Sequence, residues 1–264
     1  LADIKEDRLI LAILDVAKNR GIDDDKIDKI SRLINFLEGV YSDIGLGEGS
    51  TVYHNFHHSL EVCYMSLKML PNSIYDYRFT ANDVEIILVG ALLHDYDPLQ
   101  FSYVSSESNP EKRGYPESES QIRPIVGPRV SRTIEIIQRY HIHDAYFKLD
   151  AQDLEKLFEN FSFKSKSPFS DDQLGISKDI GKSDKSLIVE AIIWRTDFPY
   201  FKLETAQVKF KKLLSEIEVK GYDIGKIKIL AEVLWLSDLS VTYMGSDPIR
   251  AWNRVTSLYE ELYL

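Results

Sequence analysis

The chain is short of several things, and each shortage narrows its nature. Cys63 is the single cysteine, so no disulfide can form within the chain, and a reducing, cytoplasmic compartment is the expectation. No apolar run approaches the ~18 residues that mark a membrane-spanning helix, and the opening segment does not read as a signal peptide. Positive charge is scarce: 32 Lys and Arg stand against 42 Asp and Glu, a formal net charge of −10. That argues against a nucleic-acid polymer or an anionic membrane as the main partner, since both need a basic face. A small phosphate ester stays open, because a bound metal can supply positive charge locally. Strand-like alternation is missing as well.

What is present is helical. Residues 7–18 place Leu9, Ile10, Ile13, Leu14 and Ala17 on one helix face, and residues 24–40 repeat the pattern with Ile27, Ile30, Leu33, Ile34 and Leu37. Gly39 and the run 45–49 are expected to end that helix. The three glycines of 45–49 lack a following Lys-Ser/Thr pair and a preceding strand, so they read as a connector rather than a phosphate loop. Residues 55–70 form a third helix closed by Pro71, and residues 82–95 a fourth, started by a capping-box pair, Asn82 and Glu85. The fourth is apolar nearly all round, the mark of a buried helix. It carries His94 and Asp95 into the interior at its end. Further helices are expected at 129–141, 151–160, 186–198, 201–219, 223–241 and 247–262. Loops are expected at 102–128, a plausible lid, and at 161–186, where the lysines read as solvated. No repeat and no linker divides the 264 residues, so one all-α domain over 1–264 is the reading. The chain opens on Leu1 rather than Met, and the expectation is a catalytic domain excised from a longer protein, with any regulatory domain outside it.

Four of the six histidines fall in two short segments, Tyr53-His54-Asn55-Phe56-His57-His58 and His94-Asp95. Imidazole and carboxylate on buried helices are costly unless they bind something, and a divalent metal takes both as ligands. His54 and His58 are four apart and would share a helix face. Asp238, set among leucines in Leu236-Ser237-Asp238-Leu239-Ser240, is the best further carboxylate; Asp197 follows Ile192, Ile193 and Trp194 in a similar setting. His57 reads as a rim residue, and His141 and His143 as flanking a helix end, where positive charge suits the dipole. Trp235, Trp252 and Tyr259 read as core.

The run Tyr53-His54-Asn55-Phe56-His57-His58-Ser59-Leu60-Glu61-Val62 resembles the Y-H-N-x-x-H-A-x-x-V signature of class I 3′,5′-cyclic-nucleotide phosphodiesterases. His94-Asp95-Tyr96-Asp97 is similar to that family's H-D-x-D segment, shared with the wider HD superfamily of metal-dependent phosphohydrolases. Thr196-Asp197-Phe198 resembles its T-D-M segment, and Ser237-Asp238-Leu239-Ser240 its A-D-L-S segment. The order and rough spacing agree over about residues 50–255. The resemblance implies a compact all-α bundle and hydrolysis of a cyclic nucleotide by metal-activated hydroxide attack on phosphorus. It implies His58, His94, Asp95 and Asp238 as ligands of a first metal, zinc or another transition metal, with Asp95 also reaching a second ion, magnesium or manganese. It makes His54 the general acid for the departing oxygen, and Asn55 and Asp197 residues that orient ligands or water.

The chain also departs from that pattern. Pro98 stands where the family's H-D-x-D-H-P has its last histidine, and no match to its glutamate and paired histidines lies before Asp197. No glutamine follows Gln207, so the family's purine clamp is absent, rebuilt from other residues, or outside this chain. These departures keep two other readings open: an HD-type phosphohydrolase acting on another nucleotide or phosphate ester, and a non-catalytic, metal-containing ligand-binding module.

Overall fold

The computed structural model describes residues 6–45, 55–96, 129–160, 180–197, 204–243, 249 and 251–256. The expected helical bundle is what these residues form. The helices are α1 (Glu6–Asn19), α2 (Asp24–Gly45), α3 (Phe56–Met69), α4 (Ala81–Leu93), α5 (Arg129–Arg139), α6 (Ile142–Lys148), α7 (Ala151–Asn160), α8 (Asp184–Trp194), α9 (Glu204–Val219) and α10 (Ile224–Tyr243). A helical turn at 251–256 follows. Between α3 and α4 lies a two-stranded antiparallel hairpin, β1 (Ser73–Ile74) and β2 (Tyr77–Arg78), which the sequence reading missed because two residues per strand are too few to show alternation.

One connector is used twice. α1 ends at Gly21 (φ 88°) and α9 at Gly221 (φ 85°), in the left-handed conformation that glycine adopts without a Cβ clash. In each, the next residue's N–H reaches back to an orphan helix carbonyl: Ile22 to Ala17 and Tyr222 to Ile217. An aspartate then opens the following helix. The Asp23 and Asp223 carboxylates accept from the N–H of Lys26 and Lys226 at 2.9 and 3.2 Å.

α4 is the axis of the fold. Every residue from Asp83 to Leu93 is buried, which explains its unbroken apolar run. α3 packs beside it in the opposite sense, with the Cys63 thiol against the Leu88 carbonyl. α8 and α10 run parallel to α4. All three start at one pole, where Lys185 meets Glu85 and Lys226 meets Asp83, each at 3.0 Å. α4 and α8 approach closely at Gly90, where a Cβ would stand 2.5 Å from Ile192 Cδ1 and that side chain would have to shift. α1 lies along α3, and the Arg20 guanidinium closes the end of α3 by donating to the carbonyls of Leu67, Leu70 and Pro71.

Several local expectations need correction. The capping box of α4 is Thr80 with Asp83, not Asn82 with Glu85; Asp83 Oδ2 accepts from the Thr80 N–H at 2.7 Å. The buried Glu85 is met instead by two half-buried lysines, Lys26 and Lys185. Gly39 does not end α2, which continues to Gly45: the buried Phe36, Leu37 and Val40 around it hold the helix to the bundle against the ~1 kcal/mol that an interior glycine costs. The expected helix end near His141 is a break between α5 and α6. His141 there takes a left-handed backbone (φ 50°), and His143 is buried, 2.9 Å from Glu190 Oε1 on α8. Trp252 is 72% exposed rather than core. Lys185 is not a solvated loop residue, since it donates to the buried Glu85. Tyr53, Tyr259 and the expected loop 102–128 lie outside the described residues, as does most of the loop expected at 161–186.

Candidate metal centre

The site forms where three helix segments bring side chains to one pole. His58 sits in the first turn of α3. Asn55 caps that turn, its Oδ1 accepting from the His58 N–H at 3.0 Å. His94 and Asp95 follow α4 directly, with His94 still in helical geometry (φ −60°, ψ −30°). Asp238 lies inside α10, not at its end: its carbonyl accepts from Thr242 one turn on. The polar positions of Ser237, Asp238 and Ser240 are thus part of a continuous helix, with both serine hydroxyls donating to helix carbonyls.

Two imidazole nitrogens and two carboxylates converge here. His58 Nε2 is 3.4 Å from Asp95 Oδ2 and 3.2 Å from Asp238 Oδ1. His94 Nε2 is 3.1 Å from Asp95 Oδ2 and 3.9 Å from Asp238 Oδ1. His58, His94 and Asp95 alone offer three ligand atoms within 4.8 Å of one another, and all three are buried. Among the described residues this is the one such cluster. The Asp238 side chain, 22% exposed, forms its solvent-facing edge.

The tautomer of His94 follows from its surroundings. Its Nδ1 lies 2.8 Å from the Ala91 carbonyl, which can only accept, so Nδ1 carries a proton and Nε2 is the nitrogen left for a second proton or a metal ion. That Nε2 is fully buried and makes no hydrogen bond among the described residues. A neutral imidazole pinned through one nitrogen and free at the other is the form a metal takes. The Tyr41 hydroxyl of α2 reaches the Asp95 carbonyl at 3.4 Å. Neither the Ala91 carbonyl nor Tyr41 could be read from the sequence, because a backbone acceptor leaves no side-chain signal and Tyr41 belongs to a distant helix.

Electrostatics point the same way. Burial disfavours charge on His94, yet the Asp95 and Asp238 carboxylates outweigh it and push the imidazole up to about 10. Burial likewise opposes charge on His58, and Asp238 and Asp95 raise it above its ordinary value. Asp238 is driven below the usual carboxylate range: burial acts against this, but the two histidines prevail. Without a cation, protons must neutralise the carboxylates; a divalent ion would do so directly.

Asp197 is not drawn into the cluster. It follows α8 in the turn after Trp194, 8% exposed, and makes no hydrogen bond or ion pair with His58, His94, Asp95 or Asp238 among the described residues. Burial alone lifts its carboxyl to about 6. Because α8 runs parallel to α4, Asp197 leaves the bundle at the same pole as Asp95. Next to it, Arg195 pairs with both Glu232 oxygens at 2.8 and 3.0 Å and stacks 3.9 Å over the Trp235 ring, fixing the end of α8 to α10. His57 is the rim residue expected, between Glu61 at 3.5 Å and Glu6 at 3.8 Å. His54, Asp97 and Pro98 lie outside the described residues.

Comparison with family models, with curated proteins and with solved structures finds no match to this chain. The arrangement itself is HD-like: an all-helical body with a buried His/His/Asp cluster able to coordinate a metal ion, as in a metal-dependent hydrolase. No helix among the described residues is long and apolar enough to cross a membrane.

Proposed function

We propose that the chain is a metal-dependent phosphohydrolase, and specifically a phosphodiesterase acting on a 3′,5′-cyclic nucleotide. The observation that carries the metal-dependent reading is the convergence at His94, whose Nδ1 is held by the Ala91 carbonyl while its buried Nε2 faces two carboxylates and a second imidazole. That donor set fits a divalent ion. His58, His94, Asp95 and Asp238 would hold it, with zinc or another transition metal suited to two nitrogens and two oxygens. Asp95 would also reach a second ion, magnesium or manganese. Ions bound there supply Lewis acidity toward a phosphoryl oxygen and bring the pKa of water toward neutrality.

The chain's own residues do the rest. The Ala91 carbonyl holds the His94 ring in orientation, and Asn55 caps the helix turn that carries His58. Asp238, on the exposed edge, marks the side from which a phosphate approaches. His54 is proposed as the acid that protonates the leaving 3′ oxygen, a role suited to an imidazole near neutrality. Asp197, a carboxyl lifted by burial, is proposed to orient water or ligands at the same pole. The cyclic-nucleotide assignment rests on the resemblance of four ordered motifs to that family.

The test is hydrolysis of cyclic AMP and cyclic GMP by the purified chain with added manganese or magnesium, with Asp95→Ala as the blank. Turnover above the blank supports the phosphodiesterase. Metal binding without such turnover overturns it and moves the assignment to another nucleotide or phosphate ester, or to a ligand-binding module, which a substrate panel separates.

A further inference from the structure

The His58–Asp238 pairing joins two helices that run in opposite directions, and one arginine bridges them beside it. Arg254 lies in the helical turn 251–256. Its Nη1 donates to the Val241 carbonyl of α10, and its Nη2 to Glu61 Oε2 of α3. Val241 stands three residues after Asp238 and Glu61 three after His58, so each anchor lies about one helical turn from a candidate ligand. The Val241 carbonyl is among the last four of α10, the groups a helix leaves without an internal partner. Arg254 therefore caps α10 and pins it to α3 with the same planar fork.

The anchor on α3 is enclosed. Glu61 is 8% exposed, and a carboxylate so buried is costly without a cation. Burial opposes its charge, yet His57 and Arg254 hold the carboxyl down at about 2. His57 stands 3.5 Å from Oε1, and Arg254 takes Oε2. The contact of α10 with the far end of α3 is softer. There the Ser237 and Ser240 hydroxyls approach Met69 Sδ at 3.5 and 4.0 Å, and a thioether is a weak acceptor on a pliable side chain.

A metal centre needs that pinning. Bonds of ~2.0–2.1 Å to a tetrahedral ion set neighbouring ligand atoms roughly 3.3 Å apart. His58 Nε2 and Asp238 Oδ1 stand 3.2 Å apart, although one is carried by α3 and the other by α10. Sliding α10 along α3 by a single residue, ~1.5 Å, would take Asp238 out of that range. Asp95 needs no such guide, because it follows His94 directly in the chain. We propose that Arg254 is a positioning residue of the metal centre: by bridging Val241 and Glu61 it holds Asp238 in register with His58, and it makes the turn 251–256 part of the site. The inference rests on the reading of the His/Asp cluster as a metal centre. Arg254 acts through the two helices and not as a ligand, since a guanidinium has no lone pair to give.

The experiment is zinc titration of the EDTA-treated chain against a competing chromophoric chelator, with the visible absorption of bound cobalt(II) as a second readout of coordination. The wild type is expected to take up zinc. Arg254→Met should weaken zinc about 10–100-fold, the usual loss when a group that orients a ligand is removed, and should change the cobalt spectrum as Asp238 leaves the ion. Asp238→Asn should weaken zinc as well. Adding Arg254→Met to Asp238→Asn should cost nothing further, because the ligand whose position Arg254 sets is already gone. Arg20→Ala, which uncaps the far end of α3, controls for stability alone: it should lower the melting temperature and keep the zinc affinity of the wild type. Equal zinc affinity in Arg254→Met and the wild type, or the same loss from Arg254→Met in the Asp238→Asn background, overturns the proposal and leaves Arg254 a cap on α10. Absence of zinc binding by the wild type overturns the metal reading itself, and this inference with it. Should Arg254→Met fail to fold, Glu61→Gln opens the same link from α3: weaker zinc binding there supports the proposal, and wild-type affinity overturns it.

Discussion

Asp238 on α10 places Oδ1 3.2 Å from Nε2 of His58 on α3, while Asp95 after α4 approaches the same nitrogen to 3.4 Å from its own side. The two carboxylates thus bracket one imidazole. Each depends on a different helix, so the centre exists only when α3, α4 and α10 are packed together.

On the proposed mechanism, metal binding and proton transfer fall to different residues. Asp95→Ala and His94→Ala should each lose the bound metal and all turnover together, read as metal content after dialysis beside the hydrolysis rate. His54→Ala should retain its metal and lose about 10²–10⁴ in rate, the usual worth of a general acid. Full activity in His54→Ala would remove its assigned role.

Proton and metal compete for the same nitrogens. In the metal-free protein, His94 is pushed up to about 10 from an ordinary 6.5, and His58 is raised as well. A raised histidine stabilises the fold fully below its unfolded pKa and loses that contribution as pH rises through the folded value. Asp238, shifted down, contributes above its ordinary 3.8 and loses this only in stronger acid. EDTA-treated protein should therefore fall in stability as pH climbs from about 6.5 toward about 10. Added zinc should abolish that alkaline loss and release protons when it binds at neutral pH. A flat stability profile between those limits in the metal-free protein would contradict the geometry.

Gly90 is the contact point between α4 and α8. Gly90→Ala should destabilise by about 1–3 kcal/mol in urea unfolding, because the added methyl meets Ile192 at 2.5 Å inside the core. Intrinsic helix propensity favours alanine by roughly 0.8–1 kcal/mol, so a stabilised variant would show that the helices can separate freely.

Arg20 is a side-chain cap on α3. Arg20→Ala leaves the Leu67, Leu70 and Pro71 carbonyls without that donor and should cost about 1–3 kcal/mol. Its effect should appear as faster amide exchange at the end of α3, away from His58.

Much of this was legible before the structure. The all-α fold followed from apolar residues at three- and four-residue spacing, since each such stripe must be covered by a neighbour. α4 announced its burial by being apolar all round, and His58, His94 and Asp95 stood out as polar groups on helices that would be buried. The hairpin at Ser73–Arg78, the short helix α6 that follows the left-handed His141 and the run of α2 through Gly39 did not show. Two-residue strands carry no period, a left-handed histidine leaves no composition signal, and glycine in open space is tolerated wherever the rest of a helix is well packed.

The sequence by itself determined most of the helical segments and which of them carry imidazole and carboxylate groups able to hold a metal, because helical periodicity and residue chemistry are local properties. The tertiary structure alone decided that Asp238 joins His58 while Asp197 stays apart, and that Glu85 gathers lysines from two other helices. It also set the tautomer of His94, through a carbonyl one turn back. Those outcomes depend on the register and direction of helices packed against one another. Side-chain burial across separate helices fixes that register, and no spacing along the chain encodes it.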